Sequence, residues 1–116
     1  MVYIREAHPT DGWVAPANVR QGIAIQDPTT FQERREVAER ACSVLHIKIP
    51  CLVDDMKDSV NQAYAAWPDR IYVVGLDGRI AVAAARGPAG FAPGVAAADK
   101  WLEKLAAVRA AAKRSK

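Results

Sequence analysis

The chain has 116 residues, enough for one small domain, and a formal charge of +3. With 51% apolar and 25% charged residues it has the make-up of a folded globular protein, which excludes a disordered polyelectrolyte. No apolar run is long enough to cross a bilayer, and the first residues lack the basic-then-apolar layout of a signal peptide. The expectation is therefore no membrane partner and a cytoplasmic location.

The charge is unevenly placed. Arg109, Lys113, Arg114 and Lys116 fall in the last eight residues, which hold no acid, so removing these four cations takes the formal charge from +3 to −1 for residues 1–108. A nearly neutral body (1–108) with a basic C-terminal helix end or tail (109–116) suits the helix dipole better than it suits a polyanion. No nucleic-acid partner is expected.

Val2, Tyr3 and Ile4 open a strand that must end near Ala7, because Pro9 and Gly12 cannot continue a central strand. Glu6 and His8 stand two apart at its carboxyl end, so in extended chain they point the same way. Open α/β sheets carry their ligands at such ends. The pair is a candidate proton relay; the alternative is that the two satisfy each other and nearby backbone at a loop entry. Residues 9–29, with Pro9, Pro16, Pro28, Gly12 and Gly22, read as a long loop without periodicity, which Trp13 and Val14 would pin to the body.

Thr30-Phe31-Gln32-Glu33 fits a capping box and starts a helix. Its apolar stripe would be Phe31, Ala38, Ala41, Cys42 and Leu45, with Arg34, Arg35, Glu36, Glu39 and Arg40 facing water. Cys42, His46 and Cys51 are three zinc-capable side chains, yet no fourth ligand stands at a usual spacing and Cys42 should face the core, so no metal is expected. The two cysteines are not in a C-x-x-C arrangement, and free thiols are expected. Cys51 to Asp54 reads as a short strand. Asp58 is a plausible N-cap for a helix from Ser59 to Ala66, and Pro68 precedes a strand, Ile71–Val74. Asp77-Gly78 before Ile80–Ala85 is a hairpin signal, so these two strands should be antiparallel. Pro93 suits the first turn of a long Ala-rich helix, running to about Lys113, that would bury Val95, Ala98, Trp101 or Leu102, Leu105 and Val108.

Several stretches together resemble the iodothyronine deiodinase family. They are Tyr3-Ile4-x-Glu6-Ala7-His8-Pro9-Thr10-Asp11-Gly12-Trp13, Asp54-x-Met56, Asn61-x-Ala63-Tyr64-x-Ala66-x-Pro68-x-Arg70-x-Tyr72-Val73, Gly87-Pro88-x-Gly90-Phe91 and Trp101-Leu102-Glu103. The resemblance implies an α/β, thioredoxin-like mixed sheet flanked by helices, with a peroxiredoxin-type insertion. It also implies oxidoreductase chemistry at a cysteine or selenocysteine that precedes the Glu-Ala-His-Pro stretch. Here that stretch begins almost at Met1, so the first strand and active-site helix are expected to be absent. Glu6 and His8 would then be the proton relay, Arg86 an anion-facing substrate contact, and Pro68 the candidate for a cis-proline facing the reactive sulfur. The alternative for Pro68 is a trans-proline that only ends the preceding helix. Two departures from the family's pattern stand out. The glycines that usually precede the arginine are Ala84 and Ala85 here, and the second histidine that often sits in the long loop has no counterpart between His8 and His46. Vertebrate members carry an N-terminal membrane anchor, which this sequence does not show.

Two functions follow as expectations. One is a deiodinase-like thiol or selenol oxidoreductase without its nucleophile, inactive as it stands and needing no cofactor. The other is a non-catalytic binding module that dimerises to complete its open sheet.

Overall fold

The computed structural model describes residues 1–114; Ser115 and Lys116, at the end of the expected basic tail, lie outside the described residues. The chain is a mixed α/β protein in two compact units, Met1–Trp67 and Pro68–Lys116.

In the first unit, β1 (Val2–Tyr3) pairs in parallel with β2 (Leu52–Val53), with Val2 opposite Leu52 and Tyr3 opposite Val53. A parallel pair needs a long crossover, and two helices, α1 (Pro16–Arg20) and α2 (Phe31–Val44), lie within it. The first strand is shorter than its apolar run predicts. Its partner leaves the ladder at Asp54, whose buried carboxylate turns to accept the N–H groups of Val60 and Asn61 (both 2.9 Å). Ile4 to Ala7 therefore have no strand to pair with among the described residues. A strand ends where its partner does.

The capping box of α2 forms as its sequence requires. Thr30 Oγ1 accepts from the Glu33 N–H at 3.2 Å, and Glu33 Oε2 accepts from the Thr30 N–H at 3.2 Å. The Thr29 N–H and hydroxyl also reach that carboxylate, and these bonds hold Glu33 below the usual carboxylate range. Only the middle of the expected stripe of α2 is turned inward, with Ala38 buried and Ala41 and Cys42 half-buried. Arg34 and Ala38 are buried, while Phe31 and Leu45 are exposed. Arg34, expected in water, is only 3% exposed.

The short helix α3 (Ser59–Tyr64) starts where expected, but Asp58 does not cap it. Asp58 sits in the left-handed region (φ 57°) with its carboxylate on Arg34, and the free N–H groups of α3 go to Asp54 and Asp55 instead. Asp55 also accepts the Ser59 hydroxyl at 2.6 Å, a bond that, with the Ser59 N–H, holds its carboxyl low.

In the second unit, β3 (Tyr72–Val74) and β4 (Ile80–Ala83) form the expected antiparallel hairpin, with an irregularity between Val73 and Val74. Gly78 takes the positive φ of 77° that the turn requires. The long helix α4 (Phe91–Arg114) packs on this hairpin. Its inward residues are Gly94, Ala98, Trp101 and Leu105, spaced by four, three and four, whereas Val95, Leu102 and Val108 are exposed. The contact is close at Gly94: a Cβ there would stand 2.7 Å from the Ala84 Cβ.

The four strands thus form two separate two-stranded sheets in place of the single mixed sheet expected, and every strand has one edge without a strand partner among the described residues. Among the described residues the buried aliphatic side chains are Ala38 and Ala84, while Val2, Leu52, Val74 and Ile80 are exposed. No described helix is long and apolar enough to cross a membrane.

Candidate functional site

Glu6 and His8 lie just past β1, both half-buried. Glu6 is held between opposing influences. Its carboxyl is raised above the ordinary value of 4.5, first by burial and then by the negative charge of Asp27; Arg34 and His8 pull in the other direction. His8 Nδ1 is buried with no hydrogen-bond partner among the described residues. The imidazole meets Trp13 edge-on, at 4.6 Å between ring centres and 70° between planes. Trp13 itself is 70% exposed, so its hold on the body is this ring contact, while Val14, expected to pin the loop with it, is half-buried.

Three sets of contacts hold this strand end in place. The Thr10 N–H bonds the Ile25 carbonyl (2.8 Å) and the Asp27 N–H bonds Asp11 Oδ1 (3.0 Å), which draws the two ends of the long loop together and keeps Asp27 near Glu6. The Trp67 indole N–H donates to the Glu6 carbonyl at 3.3 Å, and its ring carries the Arg5 guanidinium at 5.4 Å. Behind them, Arg34 Nη1 donates to the carbonyls of Asp54 (3.4 Å) and Asp55 (2.6 Å) and to Asp58 Oδ1 (3.0 Å). Asp58 also faces Arg5 at 3.9 Å. The strand end is thus tied to α3 and α2 by side chains, where no backbone ladder holds it.

The parts that Arg34, Asp27, Asp54 and Trp67 play here are not set by local spacing. Arg34 and Asp58 are 24 positions apart, and Trp67 and Glu6 are 61 apart. One local sign existed for Arg34: it stands four residues before Ala38, on the same helix face.

Arg86 and Pro68 belong to the second unit. Arg86 is exposed at the end of the hairpin. The Gly87 N–H bonds the Asp69 carbonyl at 2.9 Å and the Gly90 N–H bonds the Arg86 carbonyl at 3.0 Å, which fixes the turn that presents Arg86. A Cβ at Gly87 would run into the Asp69 carboxylate, and one at Gly90 into the Ala85 carbonyl, so both positions need glycine for close approach. The cis peptide among the described residues is Gly87–Pro88 and not Trp67–Pro68. Pro68 is therefore an ordinary proline after α3, which has already ended at Tyr64 with Ala65 in the left-handed region.

Cys42 and Cys51 are free and half-buried. Cys42 lies in the last turn of α2 and Cys51 directly before β2. Burial and the neighbouring Cys42 push the Cys51 thiol up. Among the described residues no three His, Cys, Asp or Glu side chains converge as a metal-ligand set.

Comparison with known proteins places the sequence of this chain in a family. The profile of the iodothyronine deiodinases matches residues 1–106. The chain is 34% identical over 110 residues to a thyroxine 5-deiodinase of Sparus aurata, covering 90% of this chain and 36% of the relative. It is 36% identical over 108 residues to that of Aquarana catesbeiana (90% and 36% covered), and 31% over 107 residues to that of Homo sapiens (90% and 32%). The chain spans about a third of the length of these relatives. It is a member of the iodothyronine deiodinase family.

Proposed function

We propose that Glu6 and His8 form the acid–base part of a thioredoxin-like thiol or selenol oxidoreductase whose nucleophile is neither of them. The observation that carries the reading is the half-buried Glu6 carboxyl beside His8, with its ionisation suppressed by burial and by Asp27. A carboxyl that keeps its proton above the usual carboxylate range is suited to deliver it to a leaving carbon or heteroatom, and an imidazole next to it can pass the proton on. Arg86, exposed at the end of the hairpin in the second unit, is by the family resemblance an anion-facing residue of that unit. The reaction class is reductive removal of a substituent, as the names of the relatives suggest.

Neither cysteine of the chain suits the role of nucleophile. Cys42 is half-buried in the last turn of α2 and not at a helix N-terminus, and Cys51 holds its proton more tightly than a free thiol. The 116 residues alone should therefore give no thiol-dependent dehalogenation above a blank. Robust turnover that disappears in His8→Ala would overturn the reading.

The sparse core favours a second reading alongside the first. Among the described residues, Ala38 in the first unit and Ala84 in the second are the buried aliphatic side chains, and Val2, Leu52, Val74 and Ile80 are exposed on the strands, so each unit gains from a partner that completes its sheet. A homodimer is the simplest such partner. Light scattering that returns a monomer, together with a cooperative melt, would rule it out.

A further inference from the structure

We propose that Trp67 is a positioning residue for the Glu6–His8 pair, acting through a closed relay of hydrogen bonds that stands in for the backbone ladder missing there. This role rests on the acid–base reading given above and adds a residue to it. The relay lies wholly within the first unit. It starts at Tyr3, the last residue of β1, whose carbonyl accepts from the Asp54 N–H at 2.8 Å. Asp54 Oδ2 accepts from the Asn61 N–H of α3 at 2.9 Å, and Asn61 Oδ1 accepts from the Trp67 N–H at 2.9 Å. The Trp67 indole N–H then donates to the Glu6 carbonyl at 3.3 Å. The relay therefore leaves the strand at Tyr3 and returns to the same chain at Glu6. Ladder bonds would ordinarily hold such residues, but β2 ends at Val53. Among the described residues, the bond from Trp67 is the hydrogen bond that Glu6 makes.

The residue before Glu6 is tied to the same indole. The Arg5 guanidinium lies 5.4 Å from the centre of the Trp67 ring and faces Asp58 at 3.9 Å. With Arg5 and Glu6 both fastened to one side chain, the backbone that carries the carboxyl cannot drift into solvent without opening the relay. That bears on the chemistry, because a carboxyl keeps its proton only while its surroundings stay poor in water. The charged groups that act on Glu6 are Asp27 from the long loop, Arg34 from α2 and His8, and burial outweighs them all. Trp67 brings no charge of its own. What it supplies is place: it holds Glu6 where that burial is felt. Removing the indole N–H should therefore make Glu6 more acidic although no charge has changed.

The test is the Glu6 carboxyl titration by NMR on the full chain, in wild type, Trp67→Phe and Asn61→Ala. Phenylalanine keeps a ring face for Arg5 and deletes the indole N–H, and alanine at position 61 deletes the acceptor that seats Trp67. Both should bring the midpoint down toward 4.5. Gly94→Ala, a destabilising change in the other unit, should leave it where it stands in wild type. A Trp67 that only stabilises the fold would lower the urea midpoint of its variants and leave the titration unmoved. In wild type, the Trp67 indole proton should exchange with water more slowly than that of Trp13, which is 70% exposed. Three results overturn the role of Trp67 and leave the acid–base reading standing: a raised wild-type midpoint unmoved in both variants, an equal fall in Gly94→Ala, or an indole proton as labile as that of Trp13. A wild-type midpoint at or below 4.5 removes the acid–base reading, and the role of Trp67 with it. Asn61→Ala decides if Trp67→Phe fails to fold, and the indole exchange needs no variant.

Discussion

Replacing Arg34 with methionine keeps an unbranched apolar stem in the same space and removes the guanidinium. Three bonds from Nη1 are lost, to the carbonyls of Asp54 and Asp55 and to Asp58 Oδ1. Among the described residues, Asp58 would keep only Arg5, at 3.9 Å. Breaking a buried ion pair from one side costs about 3–5 kcal/mol, and because Asp58 retains some exposure the lower end, about 3 kcal/mol, applies. One effect opposes this. Arg34 Nε is buried with no acceptor among the described residues, and deleting an unsatisfied donor returns about 1 kcal/mol. The net expectation is a loss of about 2 kcal/mol in the first unit. Urea denaturation followed by tryptophan fluorescence measures it, since Trp13 and Trp67 both lie in that unit. Asp58→Asn keeps a residue that tolerates the left-handed backbone while removing the charge. A double-mutant cycle of the two substitutions should show a coupling of at least about 1 kcal/mol. A change of under about 0.5 kcal/mol in Arg34→Met, or no coupling to Asp58, would refute the assignment of Arg34 as the tie between α2 and α3.

Two further outcomes follow from named contacts. Gly94→Ala gains about 1 kcal/mol of helix propensity but sets a Cβ 2.7 Å from that of Ala84 and 3.4 Å from that of Ile71. Overpacking costs about 1–3 kcal/mol, so α4 should separate from the hairpin more easily, read as faster amide exchange across Tyr72–Val74. Glu6→Gln should change stability in a pH-dependent way. The raised folded-state value means that the contribution of Glu6 is fully present below about pH 4.5 and is lost as pH rises through the folded-state value. The glutamine variant lacks that loss, so the difference should move in its favour as pH rises; a constant difference from pH ~4 to ~7 would contradict it.

The features legible in the sequence are those whose partners are close in the chain. The Thr30–Glu33 capping box and the Asp77-Gly78 turn involve residues within a few positions of one another, and both are found where expected. Asp58 had the right residue type and position to cap α3. A buried guanidinium from another helix took its carboxylate, and Asp54 and Asp55 supplied the cap. On α2, Arg34 lies on the same face as Ala38 and is buried with it, while Phe31 and Leu45, at the two ends of that face, are exposed. The length of β1 was not legible, since its apolar run sets what it could pair with and β2 sets where pairing stops. For the candidate site, Glu6, His8 and Arg86 stood out by residue type and resemblance. Asp27 and Trp67 did not, because their effect on Glu6 depends on loop closure over long separations.

The account turns on Glu6 holding its proton beyond the ordinary carboxylate range. The direct measurement is the side-chain carboxyl titration of Glu6 by carbon-detected NMR on the full chain, with Glu6→Gln identifying the resonance. The expected midpoint lies above 4.5 and falls when Asp27→Asn removes the neighbouring negative charge. A midpoint at or below 4.5, unmoved by Asp27→Asn, would make Glu6 an ordinary surface carboxylate and remove the basis for an acid–base site in this chain.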